Sequence, residues 1–133
     1  MGTINYLLDT HAFLWAVHKE GSKLSGGAQK IIRDSDSQIF VSAISAYEIT
    51  NKYRIGKLPV YEHVVNNYFD ILNKSGVIEL PVTSKHAHYA GKFDWDHRDP
   101  FDRIIAAQAF LDDFVLITND TVFLTLSWVK TLW

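Results

Sequence analysis

An α/β domain is predicted, a three-layer α/β/α sandwich with a central parallel sheet of four or five strands. Two features point to it. Short apolar runs (INYLLD, QIFVSA, VIELPV, FVLITND) alternate with segments of helical periodicity. The runs are apolar at consecutive positions rather than at every second one, which suits strands covered on both faces. With 133 residues, 47% of them hydrophobic, the chain fits one domain, 1–133, with enough apolar surface for a core.

The elements follow in order. INYLLD, Ile4 to Asp9, reads as the first strand. THAFLWAVHK continues as a helix with Phe13, Leu14 and Val17 on one face. LSGGAQKIIRDSDS reads as a helix that opens at Ser25 and fails in the Asp/Ser cluster. After the strand QIFVSA, the segment ISAYEITNKYRIGKL predicts a helix starting at Ser45 and broken near Gly56 and Pro59. VYEHVVNNYFDILNKSG predicts one long amphipathic helix ended by Gly76. VIELPV is the third strand and SKHAHYAGK a short helix. DPFDRIIAAQAFLDD winds Ile104, Ile105, Gln108 and Leu111 around the next helix. FVLITND is the fourth strand, and WVKTLW a candidate fifth.

Composition narrows the function. There are no cysteines, so disulfides and thiolate metal sites are excluded and a cytoplasmic address is expected. No apolar run is long enough for a membrane helix. The start, MGTINYLLDTH, lacks the basic-then-apolar layout of a leader, and Tyr6 stands where an acylation motif has Ser or Thr. A net charge of −2 and a pI near 6.3 give no overall footprint for tight nucleic-acid binding. A local basic patch, a dimer groove or contact through metal ions remains compatible with that charge.

Acidic residues collect where parallel sheets place their sites, beyond the carboxyl ends of the strands. Asp9 ends the first strand and Asp120 the fourth. Glu48 falls early in the helix after the second strand, and Asp102 in the first turn of the helix before the fourth. Each has a plain structural reading. Asp9 and Asp120 suit caps, SAYE matches a capping box from Ser45 to Glu48, and Asp102 favours its helix dipole. Together they carry more weight. Two carboxylates about 4 Å apart repel by roughly 4 kcal/mol at an effective dielectric near 20. Four at one edge therefore bind protons or hold a cation. Oxygen-only ligands suit Mg²⁺ or Mn²⁺.

The ordered set LLDTHAFLW, SAYEI, HRDPFDRIIAAQA and LITND resembles the PIN-domain family, in particular its VapC-type toxins. The likeness spans essentially the whole chain. It implies metal-dependent hydrolysis of RNA phosphodiesters, a homodimer, and a small antitoxin that binds near the active site. The family's acidic quartet maps onto Asp9, Glu48, Asp102 and Asp120, as metal ligands and catalytic residues. Asp99 is assigned to capping, with Pro100 as the first helical residue and a place beside the site as the alternative for Asp99. Thr10 and Asn119 are expected to orient ligands or water. His97, Arg98 and Arg103 are expected at phosphate, with carboxylate pairing the alternative for Arg103.

Other readings account for less. A metal-free scheme would need two histidines as acid and base. His11, His18, His63, His86, His88 and His97 show no pairing, and the acids would go unexplained. An aspartyl phosphatase needs Asp two residues after Asp9, where His11 stands. A receiver domain needs a late-strand Lys that LITND lacks, and SGGAQK lacks the spacing of a phosphate loop. The non-enzymatic alternative is an inactive PIN-like module that binds RNA or protein. Most apolar residues from Val60 to Leu72 are expected in the core. Trp15 and the Tyr53–Arg54 segment are candidates for a dimer face or antitoxin groove.

Overall fold

Five parallel strands form one sheet in the order β3-β2-β1-β4-β5. They are β1 (Asn5–Leu8), β2 (Gln38–Ser42), β3 (Ile78–Leu80), β4 (Val115–Ile117) and β5 (Thr131–Leu132). The computed structural model describes residues 3–133; Met1 and Gly2, where the leader and acylation readings begin, lie outside them. β1 is central. Its Leu8 is level with Val41 of β2 and with Ile117 of β4. Strand order runs one way from β1 through β2 to β3 and the other way through β4 to β5. The switch point therefore lies between β1 and β4.

Alternation along the strands feeds two apolar layers. Leu7, Leu116 and Phe40 face one side with Ile105, Ala106, Ala109, Phe123 and Leu126. Leu8, Ile39, Val41 and Ile117 face the other with Ala12, Phe13, Ala28, Ile49, Val64 and Tyr68. The first layer is built on α7 (Pro100–Leu111), with α6 (Ser84–Lys92) packed beside it. The second holds α1 (Thr10–Val17), α2 (Gly26–Arg33), α4 (Glu62–Asn66) and α5 (Tyr68–Ser75). The expected sandwich is thus present, with WVKTLW supplying the fifth strand over two residues.

Several boundaries differ from expectation. The helix after β2, α3 (Ala43–Arg54), starts two residues before Ser45 because the Ser42 hydroxyl caps it, accepting from the Ile44 amide at 3.1 Å. The capping box from Ser45 to Glu48 does not form, and both side chains turn into the protein instead. The break near Gly56 does hold. Gly56 adopts φ +83°, and the Lys57 amide reaches back to the Lys52 carbonyl at 2.8 Å. The long helix from Val60 to Gly76 is divided. A 3-10 turn (Pro59–Tyr61) leads into α4, and Asn67 at φ −125°, ψ 26° separates α4 from α5. The break lets Val64 and Tyr68 both bury, while Val60 and Phe69 stay 66% and 73% exposed. Gly76 ends α5 as expected, in the left-handed region at φ +74°.

The Asp/Pro pair starts α7 as expected. The Asp99 carboxylate accepts from the amides of Phe101 at 2.8 Å and Asp102 at 3.2 Å, and Pro100 is the first helical residue. That start puts Ile105 against the sheet, fully buried, and leaves Ile104 half-buried. In urea unfolding, Ile105→Ala is expected to cost about 2–4 kcal/mol and Ile104→Ala about 1 kcal/mol. Equal costs would contradict the register of the helix.

Candidate active site

Register brings the acids together. Asp9 follows the last residue of β1, and its amide extends the ladder to the Ile117 carbonyl of β4 at 3.1 Å. Its side chain also caps α1, where Oδ1 accepts from the Ala12 amide at 2.8 Å. Oδ2 accepts from the Thr118 hydroxyl just past β4. Both carboxylate oxygens are thus aimed by different elements. The same Thr118 oxygen accepts from the Asp120 amide at 3.0 Å. Asp120 in turn caps the 3-10 helix Thr121–Thr125, accepting from the Val122 amide at 3.1 Å. One hydroxyl therefore ties together the first and fourth acids.

Glu48 reaches the same edge from the second turn of α3. The Thr10 hydroxyl donates its only proton to Glu48 Oε1, so the Ser45 hydroxyl is the donor in its 2.9 Å bond to Thr10. Glu48 Oε2 takes the Lys52 ammonium one turn on. Asp102, in the first turn of α7, accepts from His97 Nε2 at 2.7 Å. Asp9, Glu48, Asp102 and Asp120 line a single cavity of about 410 Å³, together with Thr10 and Asn119.

The electrostatics follow from this packing. Burial pushes Asp102 up to about 6; Asp99 and Glu48 add to the rise and the His97 hydrogen bond opposes it. Burial also raises Asp9, against the pull of Thr118 and the Ala12 amide. Burial alone would lower Lys52, but Glu48, Asp99 and Asp102 together raise it above its ordinary value. Burial thus makes two of the cavity's carboxylates, Asp9 and Asp102, costly to ionise.

Of the expected residues, Thr10 orients Glu48, and Asn119 lies exposed at the cavity wall. His97 is fixed on Asp102, and Arg98 is exposed beside it. Asp99 does more than cap. It, His97 and Asp102 each bring one donor atom to within 4.8 Å of the others. Arg103 departs from expectation, touching neither open phosphate space nor a carboxylate. Its guanidinium donates to the carbonyls of Ala90 (2.8 Å), Trp95 and His97 (both 3.0 Å) and also Phe93. A five-donor fork suits such a cluster of backbone acceptors.

Three participants were missed. Lys52 had a signal, the Glu-to-Lys spacing of four on a helix. Ser45 was hidden by its match to a capping box. Thr118 carried no local signal, because its reach to Asp9 depends on the pairing of β1 with β4. Of the proposed contact surfaces, Trp15 is half-buried against Trp133 (ring centroids 5.8 Å apart) and also lines the cavity. Arg54 is exposed and donates to Asn51 at 2.7 Å.

A carboxyl raised from 3.8 to about 6 makes the folded state lose stability as pH rises through that window, because ionisation is easier after unfolding. The deficit is complete above pH 6. Asp102→Asn keeps an acceptor for His97 and removes the charge. Without divalent cations at pH 7 it is expected to be more stable by about 1–2 kcal/mol, or several degrees in Tm. The advantage should vanish near pH 4. A variant less stable than wild type at pH 7 would contradict this.

The comparisons with known proteins bear on the fold and the family. The family model described as "PIN domain" matches residues 6–128. Ribonuclease VapC16 of Mycobacterium tuberculosis is 38% identical over 60 residues, which span 45% of this chain and 41% of that protein. The match thus covers less than half of that relative. Among solved structures, VapBC2 from Rickettsia felis bound to a promoter DNA fragment has a similar chain, with TM-score 0.65 and 16% identity over 97% of this chain and 98% of that one. DNA-bound VapBC from Salmonella typhimurium gives 0.64 and 15% over 98% of each chain. A toxin–antitoxin complex from Klebsiella pneumoniae gives 0.58 and 18% over 96% and 97%. These likenesses are of fold. With the family model matched from the first strand to past the last acid, the chain belongs to the PIN-domain family.

Proposed function

We propose that this protein is a metal-dependent endoribonuclease, the toxin of a toxin–antitoxin pair, held in check by a small antitoxin. The observation that carries the reading is one cavity at the sheet's switch point, lined by Asp9, Glu48, Asp102 and Asp120. Support comes from the PIN family, from a relative named as a ribonuclease, and from neighbours solved within toxin–antitoxin complexes. The donor set fits a hard divalent cation. It offers carboxylate oxygens, and burial raises Asp9 and Asp102, so a bound cation would replace the solvation their charged forms have lost. Asp9, Glu48 and Asp102 would hold Mg²⁺ or Mn²⁺, with Asp120 completing that site or a second one. Such an ion supplies Lewis-acid charge to the phosphate and acidifies water.

The chain's own residues do the rest. Thr118 and the Ala12 amide aim the two oxygens of Asp9, and Thr10 aims Glu48. His97 orients Asp102 and limits the turning of its carboxylate. Lys52, bound to Glu48, lends positive charge beside the site when phosphate oxygens gain charge. Arg98, exposed next to His97, is placed for an RNA phosphate, and Asn119 for a water or sugar hydroxyl.

The protein is proposed to act as a homodimer in the cytoplasm. The exposed Tyr47 of α3, packed edge-on to Phe101 of α7 (centroids 5.6 Å apart), supplies apolar surface for self-association. Among the described residues no helix is long and apolar enough to cross a membrane.

In Mg²⁺ or Mn²⁺ the wild type is expected to cleave RNA to 5′-phosphate and 3′-hydroxyl ends. Asp9→Asn and Asp102→Asn should each lose about a hundredfold or more in rate. Cyclic phosphate ends with full activity in chelator would refute the metal-dependent reading. RNA binding without cleavage in either metal would leave a PIN-fold binding module.

A further inference from the structure

A second cavity is linked to the first by the bond from His97 to Asp102. It has a volume of about 450 Å³ and lies between the α6–α7 loop and residues 122–128. Trp95 and Trp128 line it, together with the exposed Asp94 and Asp96. His97 lines the second cavity and is bonded to Asp102, which lines the first. Its ring lies 4.9 Å from that of Trp95, while its Nε2 is bonded to Asp102 of the first cavity.

We propose that this second cavity receives a nucleobase next to the cleaved phosphodiester and selects bases that carry an exocyclic amino group. The proposal rests on the ribonuclease reading and adds a subsite to it. The wall is built in advance. The Trp95 indole N–H donates to the Thr125 hydroxyl at 2.8 Å, and Phe93 stacks on the indole at 5.7 Å and 24°. Trp128 meets Phe93 edge to face at 5.0 Å. Arg103 holds the loop itself through the carbonyls of Phe93, Trp95 and His97. A loop fixed in this way loses little freedom when a ligand enters.

The chemistry favours a base. Aromatic walls stack with any nucleobase. The carboxylate oxygens of Asp94 and Asp96 accept hydrogen bonds, so they reward the amino groups of adenine, cytosine and guanine, whereas uracil offers only its N3–H, flanked by two carbonyls that the carboxylates repel. The same charges repel phosphate, which keeps the backbone at the neighbouring cavity. A guanidinium from a protein partner would also suit aromatic rings beside carboxylates. His97 favours the base, because its 2.7 Å bond to Asp102 sets this wall one side chain away from the proposed phosphate site.

The test uses the wild-type chain and nucleosides, which contain no phosphodiester. Indole N–H signals of Trp95 and Trp128 are followed by NMR, while those of Trp15, which lines the first cavity, and its neighbour Trp133 report on binding there instead. Cytidine and adenosine should shift the Trp95 and Trp128 signals saturably. Uridine should bind about tenfold more weakly, the value of one charge-assisted hydrogen bond. Asp94→Asn combined with Asp96→Asn, both exposed positions, should abolish that preference. Unmoved Trp95 and Trp128 signals, equal binding of uridine, or tighter binding of N-acetylarginine amide would overturn the proposal, the last in favour of a cationic partner. Nucleoside binding with no RNA cleavage would sink the ribonuclease reading alone. Cleavage with unmoved signals would sink the subsite alone.

Discussion

Carboxylates facing one cavity repel one another, and the fold has to hold them there. At the carboxyl edge of this sheet it does so with hydrogen-bond donors drawn from several elements. Asp9 is gripped by a helix amide and by Thr118, and Thr118 also takes the Asp120 amide. Glu48 is gripped by Thr10 and Lys52. These bonds join the ends of β1 and β4 and the starts of α1 and α3. The switch point is therefore both the structural centre of the sheet and the place where its charge is concentrated. Charge strain of this kind is expected where a site is organised for a ligand rather than for stability.

The α6–α7 loop depends on the same constraint. Asp102 faces the cavity because Asp99 and Pro100 start α7 where they do, and His97 holds its carboxylate in place. His97 is held in turn, because Arg103 takes its carbonyl along with those of Ala90, Phe93 and Trp95. The charged stretch from His97 to Arg103 is thus one connected device. One end caps a helix, the middle presents an acid, and the other end ties down the loop that orients it. Phe93 lies under the Arg103 guanidinium at 4.4 Å, so the tie is anchored to the aromatic layer as well.

Much of this was legible in the sequence, because the signals were local. Apolar runs marked the strands, Asp-Pro marked the start of α7, and Gly56 and Gly76 marked two helix ends. The four acids could be placed because strand ends define the edge of a parallel sheet. What could not be read depended on tertiary partners. Ser45 and Glu48 match a capping box, but a buried Thr10 hydroxyl outcompetes the helix terminus for both. Arg103 sits beside acids in the chain, yet four carbonyls of an irregular loop claim it. The break at Asn67 leaves the apolar pattern intact and follows from fitting Val64 and Tyr68 against the sheet.

The central claim is that Asp9, Glu48 and Asp102, with Asp120 beside them, hold a divalent cation at the switch point. Diffraction from crystals grown with Mn²⁺, recorded at the manganese absorption edge, tests it most directly. The account predicts an anomalous peak inside the cavity lined by Asp9, Glu48, Asp102 and Asp120, with Asp9 among the ligands. No peak in that cavity, or a peak held only by His97, Asp99 and Asp102, would contradict it.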